Sequence, residues 1–570
     1  MTTKILSIDH TKEPLLTSIS AYKGDKARYE KEWVPKIKAY NKKLSDAIPK
    51  ENLAPESLVP ADLDNAAFNA TTVPEKVLDD QSIKITNLTA TEIATKVAKS
   101  ELTSLEVITA FIKRATIAHQ LTNCAMEILF DDGIKRAKYL DDYIEKNGKT
   151  IGPLHGVPLS LKEHYDFKDH VTHAGFVGSL DRVATEFSVT NQILYDQGAV
   201  FYIRTTEPQC LMHLDSINNI TGRGRNAYNT SLSPGGSTSG EAALIALKGS
   251  PLGVGSDIGG SIRCPAAFNN IWGLKPSTKR LSLVGCYFAS YNTFQESIGC
   301  VLGPMSNSVE DLELFMRSYL DTKPWVKDQY CVPIPWREVS TPKAQELTIG
   351  IVYDDGVVKP HPPVLRALKE VENKLKASGV NVVTWDSHRV YEACEVVNAL
   401  YTADGNYAAI GKLNDSGEPL APLSELYLQF GKGDKGLTVT ENQFYNNTRE
   451  VLRHEYSELF KKRGVDFIIA PTYVGTASKP SLIKYWGYTS LWNILDQTCV
   501  TFPSGVFGDK SIDKKDTSYK PRNEYEEFEY NLYDEDDSDG MPVGLTLVGK
   551  RYTEEESLKA AKVISDILKV

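Results

Sequence analysis

Apolar residues recur along the chain in two rhythms, one of period two and one of period three to four. In Val157-Pro-Leu-Ser-Leu-Lys162 the alternation sets Val157, Leu159 and Leu161 on one face and Ser160 and Lys162 on the other, which predicts a strand. Further strand-like stretches fall at Ala199 to Arg204, Leu347 to Tyr353, Val380 to Thr384, Phe467 to Ala470 and Val543 to Val548. Ahead of them Ala90 to Gln120 reads as two helices, and among them Glu241 to Leu247 and Pro363 to Ser378 as one each. Such interleaving predicts a layered α/β body. A final helix follows, opened by a capping box, Thr553-x-x-Glu556.

Before this body, Ser18 to Ser45 carries Tyr22, Tyr29, Trp33, Ile37, Tyr40 and Leu44 at helical spacing among lysines and glutamates. An amphipathic helix is expected there, kinked or broken at Pro35 and packed on the protein's own flank or pairing two copies as a homodimer. Ser57 to Pro74 lacks any period and reads as a draped linker. The expected organisation is an N-terminal arm and linker over residues 1–80 and a catalytic body over 81–570, with 509–540 an acidic, solvated surface excursion.

Composition narrows the function. The 570 residues are 41% hydrophobic and 24% charged, enough for a large core. A net charge of −10 argues against nucleic acid as a partner and favours a small neutral molecule. The eight cysteines show no C-x-x-C pair, which suits reduced thiols. No basic-then-apolar leader and no run of eighteen apolar residues stand in the chain, so a soluble, cytoplasmic protein without a membrane span is expected.

The chemistry is concentrated in Ser233-Pro-Gly-Gly-Ser-Thr-Ser-Gly-Glu241 and Gly255-Ser-Asp-Ile-Gly-Gly-Ser-Ile-Arg263. Thr238 and Glu241 have capping-box spacing ahead of an Ala/Leu helix, which places Ser237 at a helix N-terminus among orphan N–H groups. Ser261 follows Gly259 and Gly260, where the missing Cβ atoms let backbone N–H groups face a substrate. Such donors stabilise the oxyanion of acyl transfer by roughly 3 kcal/mol each. A serine nucleophile needs a base, and no G-x-S-x-G or His/Asp arrangement accompanies these serines. Lys162 is the candidate; lowering a lysine from about 10.4 to near 7 costs roughly 4 kcal/mol, which burial can supply. Taken singly, a glycine-serine run is a loop and a lysine after a strand is solvated. Their occurrence together and in this order changes that.

Three motifs, Gly156 to Lys162, Pro234 to Glu241 and Gly255 to Arg263, resemble the amidase signature family, and within it the fungal acetamidase-type enzymes. Leu274-Lys-Pro276, Gly303-Pro-Met305, Trp492-Asn493 and Met541 to Gly549 extend the resemblance from about residue 80 to the C-terminus. The resemblance implies a three-layer α/β/α fold around a large mixed sheet. It also implies Lys162 as general base, Ser237 as bridging serine after a cis peptide, and Ser261 as acyl carrier. The oxyanion donors would be backbone N–H groups of Ile258, Gly259, Gly260 and Ser261, and Leu211 corresponds to an acyl-pocket position in fatty-amide relatives. No metal or cofactor is implied. Thr238, Ser239 and His173 depart from the usual pattern.

The expected reaction is hydrolysis of small aliphatic amides such as acetamide. Alternatives are a glutaminase-type amidotransferase subunit, a fatty-acid-amide hydrolase and a catalytically silent binding protein. Gly222-Arg-Gly-Arg-Asn-Ala227 matches a dinucleotide fingerprint but precedes no helical run. His164, His170 and His173 lack a further ligand at zinc spacing, and Cys264 reads as a small buried thiol.

Overall fold

A computed structural model describes residues 22–289 and 295–570. The N-terminus, expected to carry no leader, and the first residues of the predicted arm, 18–21, lie outside the described residues. The arm itself is helical from Lys26 to Asp46, and Pro35 does not break it. The helix widens into a π turn over Tyr29–Trp33, and the Val34 N–H reaches back to the Tyr29 carbonyl. This loosened turn accommodates the ring and missing N–H of Pro35, so the helix continues where a break was one of the expected outcomes. Trp33 buries against Val177, Leu180 and Ile220, and Asn41 donates to the Ile220 carbonyl at 2.7 Å, so the arm lies on the protein's own flank. Residues 49–73 then drape over the body, tied by Ala70 N–H to Ala227 and by Thr230 N–H to Phe68.

Eleven strands form one mixed sheet among the described residues. They are β1 (Ala125–Ile128), β2 (Pro158–Lys162), β3 (Val200–Thr205), β4 (Leu252–Asp257), β5 (Trp272–Lys275), β6 (Val301–Ser306), β7 (Thr348–Ile351), β8 (Asn381–Thr384), β9 (Phe467–Pro471), β10 (Cys499–Phe507) and β11 (Pro542–Val548). Their spatial order is β1-β3-β2-β4-β6-β5-β10-β11-β9-β7-β8. The strands β3-β2-β4 run parallel, as do β9-β7-β8, and the central pairs from β4 to β9 are antiparallel. Helices Val189–Asp196 and Ser239–Ala246 return the chain between the first three parallel strands, as parallel pairing requires.

Both faces of the sheet are covered. Phe467 and Ile469 of β9 join an apolar cluster with Leu368 and Val371 of helix Pro362–Ala377 and Leu558 and Ile564 of helix Glu554–Leu568. Their neighbours Ile468 and Ala470 enter a second cluster with Phe268, Val397, Tyr456 and Trp492. Period-two alternation thus feeds two cores, the α/β/α layering that the family resemblance implied. The predicted box at Thr553 does not form: its hydroxyl donates to the Lys550 carbonyl, and Glu556 pairs with Arg337. The box failed because a guanidinium competes for its carboxylate.

The acidic stretch 509–540 is mostly exposed but is anchored to the body at a few buried residues. It forms helix Glu524–Leu532, and Asp513 takes both forks of Arg366 at 2.8 Å. Glu529 is buried against the Tyr473 hydroxyl at 3.0 Å, and burial pushes its carboxyl up to about 8. Asp534 and Asp536 remain at the surface.

Candidate active site

The parallel strands β2 and β4 end side by side, and their C-terminal residues carry the polar cluster. Lys162 closes β2 with no exposed surface. Its Nζ lies 2.6 Å from Ser237 Oγ and 3.0 Å from Ser256 Oγ. Burial lowers Lys162 to about 8, against the opposing pull of the nearby Glu207, Asp257 and Glu241 carboxyls. About a tenth of Lys162 is therefore neutral at pH 7, far more than for an exposed lysine.

Ser237 follows a cis Gly236–Ser237 peptide and stands just ahead of helix Ser239–Ala246. Gly236 admits no side chain, since a Cβ would lie 2.0 Å from the Asp215 carbonyl oxygen. Asp215 in turn fixes this bend, accepting from Ser233 Oγ and from the Ser481 N–H, each at 2.6 Å. The predicted capping box at Thr238 is absent. Thr238 Oγ1 donates to the Ser256 carbonyl at 3.2 Å, and Glu241 turns into the core to accept from Ser160 at 2.5 Å and Thr205 at 3.0 Å. Ser239 likewise donates inward, to Thr206 O at 3.0 Å. Tertiary partners outbid the local cap.

Beyond β4 the chain turns through Ile258, Gly259, Gly260 and Ser261 into helix Arg263–Phe268. Ser261 is 5% exposed, and its carbonyl accepts the Thr238 N–H at 3.1 Å, joining the two serine segments. The turn is anchored by Asp257, which accepts from the N–H groups of Gly260 at 2.9 Å and Ile262 at 3.1 Å and is gripped by Arg263 through two nitrogens. Arg263 holds this carboxyl well below the usual range. Asn493 completes the knot, donating to Asp257 at 2.9 Å and accepting from Arg263 at 2.6 Å. Of the four expected anion donors, Gly260 is thereby corrected: its N–H is committed to Asp257. Among the described residues no acceptor takes the N–H groups of Ile258, Gly259 or Ser261.

Three further side chains that the sequence did not single out meet this turn. Tyr401 donates to the Ile258 carbonyl and Thr489 Oγ1 to the Gly259 carbonyl, both at 2.6 Å. Trp486 lies against Gly259, where a Cβ would come within 3.0 Å of its ring. Trp486 also lines a cleft of ≈ 820 Å³ with Phe430, Tyr485, Tyr525 and Phe528. Leu211, at φ +61°, shares the apolar cluster against which Ile258 packs.

The histidines do not converge. His170 meets Glu127 at 2.9 Å, His173 reaches Tyr40 of the arm at 3.2 Å, and His164 packs between the tilted rings of Tyr165 and Phe288 with burial keeping it neutral. A cation could in principle meet Glu163, His173 and Glu207, whose ligand atoms lie within 4.8 Å of one another. Arg204, however, already supplies positive charge 3.4 Å from Glu163. Burial and the Glu163 carboxylate push Glu207 well above the carboxylate range, which disfavours the ionised form a metal would need. Cys264 is buried, and its thiol is pushed far from ionisation. No helix follows the Gly222–Ala227 fingerprint before residue 239, and Arg223 and Arg225 both pair with Asp64.

Comparison with known proteins agrees with this geometry. Residues 106–558 match the Amidase family. The chain is 36% identical over 512 residues to an acetamidase of Aspergillus oryzae, covering 87% of this chain and 93% of that one. It is 38% identical over 503 residues to an acetamidase of Emericella nidulans, covering 86% and 91%. A solved structure of a fatty acid amide hydrolase superposes with a TM-score of 0.94 at 45% identity, covering 97% of this chain and 99% of that chain. With relatives this similar over nearly their whole length and Lys162 buried at the end of β2 against Ser237, the chain belongs to the amidase signature family and is an amide-hydrolysing enzyme.

Proposed function

We propose that the protein hydrolyses small aliphatic amides, acetamide among them, to the carboxylate and ammonia through an acyl-enzyme on Ser261. The observation that carries this reading is the 2.6 Å contact of buried Lys162 with Ser237. Neutral Lys162 accepts the Ser237 proton while Ser237 takes that of Ser261, whose oxygen attacks the amide carbon. The oxyanion is met by unpaired N–H groups of the Ile258–Ser261 turn. Collapse expels the amine, protonated by the reversed relay, and water repeats the sequence to release the acid. No step calls on a metal or a cofactor.

The two acetamidases support the substrate class, and the absence of any described helix long and apolar enough to cross a membrane accords with action in the cytoplasm. A second reading, hydrolysis of long-chain amides, is favoured by the 45% identical fatty acid amide hydrolase. The deciding experiment is ammonia release by the purified chain across acetamide, propionamide, hexanamide, oleamide and glutamine. Turnover of the short amides without a partner supports the first reading. A preference for oleamide selects the second. Ammonia from glutamine alone, and only with an added subunit, refutes both.

A further inference from the structure

We propose that Tyr401 is a positioning residue that aims the Gly259 N–H at the reacting carbonyl oxygen. The inference rests on the acyl-enzyme reading above and adds to it how the anion site is held in shape. A trans peptide is planar, with its C=O and N–H pointing in opposite directions, so whatever holds one end aims the other. Three consecutive planes make the turn, and each carbonyl has its own holder. The Ile258 carbonyl is held by Tyr401 at 2.6 Å, the Gly259 carbonyl by Thr489 at 2.6 Å, and the Gly260 carbonyl by the Cys264 N–H at 2.8 Å.

The N–H ends of these planes differ in what they meet. That of Gly260 is directed to Asp257, whereas those of Gly259 and Ser261 have no acceptor among the described residues. Alternate planes thus present donors, and the intervening plane anchors the turn. For Ser261 the holder is backbone at the start of helix Arg263–Phe268. For Gly259 it is a side chain from the last residue of helix Val390–Tyr401, far away in sequence.

Tyr401 is built to hold this post. Burial and the Asp257 carboxylate keep its phenol protonated, so it remains a donor. Its ring meets Trp486 edge-on at 6.1 Å, and a Cβ on Gly259 would come within 2.8 Å of the phenol oxygen. A residue with a side chain at 259 would push the phenol away. Without the hydroxyl, the Ile258–Gly259 plane is free to rock, and the N–H loses the fixed direction on which preorganised stabilisation depends.

The test is Tyr401→Phe, with Tyr456→Phe as control, a buried tyrosine whose hydroxyl donates at 2.8 Å to the His388 carbonyl. Tyr401→Phe is expected to lower kcat about 10- to 100-fold with KM within about twofold, since the contact is to the transition state. Affinity for an aldehyde inhibitor that forms a tetrahedral oxyanion on Ser261 should fall by a similar factor, while affinity for the carboxylate product stays level. Tyr456→Phe should leave all three unchanged. A wild-type kcat in Tyr401→Phe, or a loss of kcat with undiminished aldehyde affinity, overturns the proposal. Equal losses in the two variants reduce Tyr401 to a packing residue and overturn it as well. Failure of the acyl-enzyme reading shows separately, as a fluorophosphonate probe that does not label Ser261 in the wild type.

Discussion

Ser256→Ala is the perturbation that most directly interrogates the base. Lys162 Nζ donates to Ser256 Oγ at 3.0 Å and faces Ser237 Oγ at 2.6 Å, with no exposure to water. A hydroxyl acceptor stabilises an ammonium more than an amine, by about 1.5 to 3 kcal/mol for a bond to a charged group. One pKa unit corresponds to about 1.4 kcal/mol, so its removal should lower Lys162 by about one to two units from its position of about 8. The neutral fraction at pH 7 would rise from about a tenth to about a half or more. The assay is kcat/KM for ammonia release from a short amide between pH 5.5 and 9.5. In the wild type the rate should climb with pH through about 8, because the base acts unprotonated. In Ser256→Ala this acid limb should move to lower pH, while the high-pH plateau falls several-fold because the amine is held by one partner and not two. An acid limb that stays put or moves to higher pH would refute the reasoning.

Three other outcomes are expected. Ser261→Ala should abolish fluorophosphonate labelling and lower turnover by at least about 10³-fold with an unchanged melting profile; labelling equal to wild type would remove Ser261 as nucleophile. Gly236→Ala should cost more than about 4 kcal/mol or prevent soluble expression, because its Cβ meets the Asp215 backbone at 2.0 Å; a Tm within 2 °C of wild type would contradict the close approach. Glu241 is raised by burial to about 8, above its unfolded value, so its contribution to stability is full below about 4.5 and is lost as pH rises through about 8. Glu241→Gln should therefore gain stability relative to wild type as pH goes from 5 to 8.5, measured by denaturant unfolding, and the opposite trend would show that the carboxyl is ionised in the fold.

The legible parts of the sequence were those whose signal is local. Alternation in β2 revealed the strand that presents Lys162, and the paired glycines marked the turn that carries Ser261. Local spacing misled where a tertiary partner competed. Thr238 and Glu241 have the separation of a capping box, yet Ser256, Ser160 and Thr205 claim them. Pro35 looked like a helix breaker because no sequence rule foresees the π turn that absorbs it. Tyr401 and Thr489 carry no motif: each is an ordinary residue of a helix whose partner is a carbonyl more than a hundred positions earlier. Asn493 stood in a stretch contributing to the family resemblance, but its bond to Asp257 depends on a fold that brings 236 positions of separation to 2.9 Å.

The strand order has a consequence for synthesis. β10 and β11 sit between β5 and β9, and they alone bridge the block formed by β1 to β6 and the block formed by β7 to β9. They are also the last of the eleven strands to be made, spanning Cys499–Phe507 and Pro542–Val548. Until then, β5 and β9 each present an open edge with unmet hydrogen-bonding groups, the kind of edge that recruits strands from other chains. A nascent chain must keep two half-sheets apart from its neighbours once β9 is made and then zip them together with β10 and β11. Termination between β9 and β10, after residue 471 and before 499, would leave two exposed edges and a divided sheet, not a shortened enzyme.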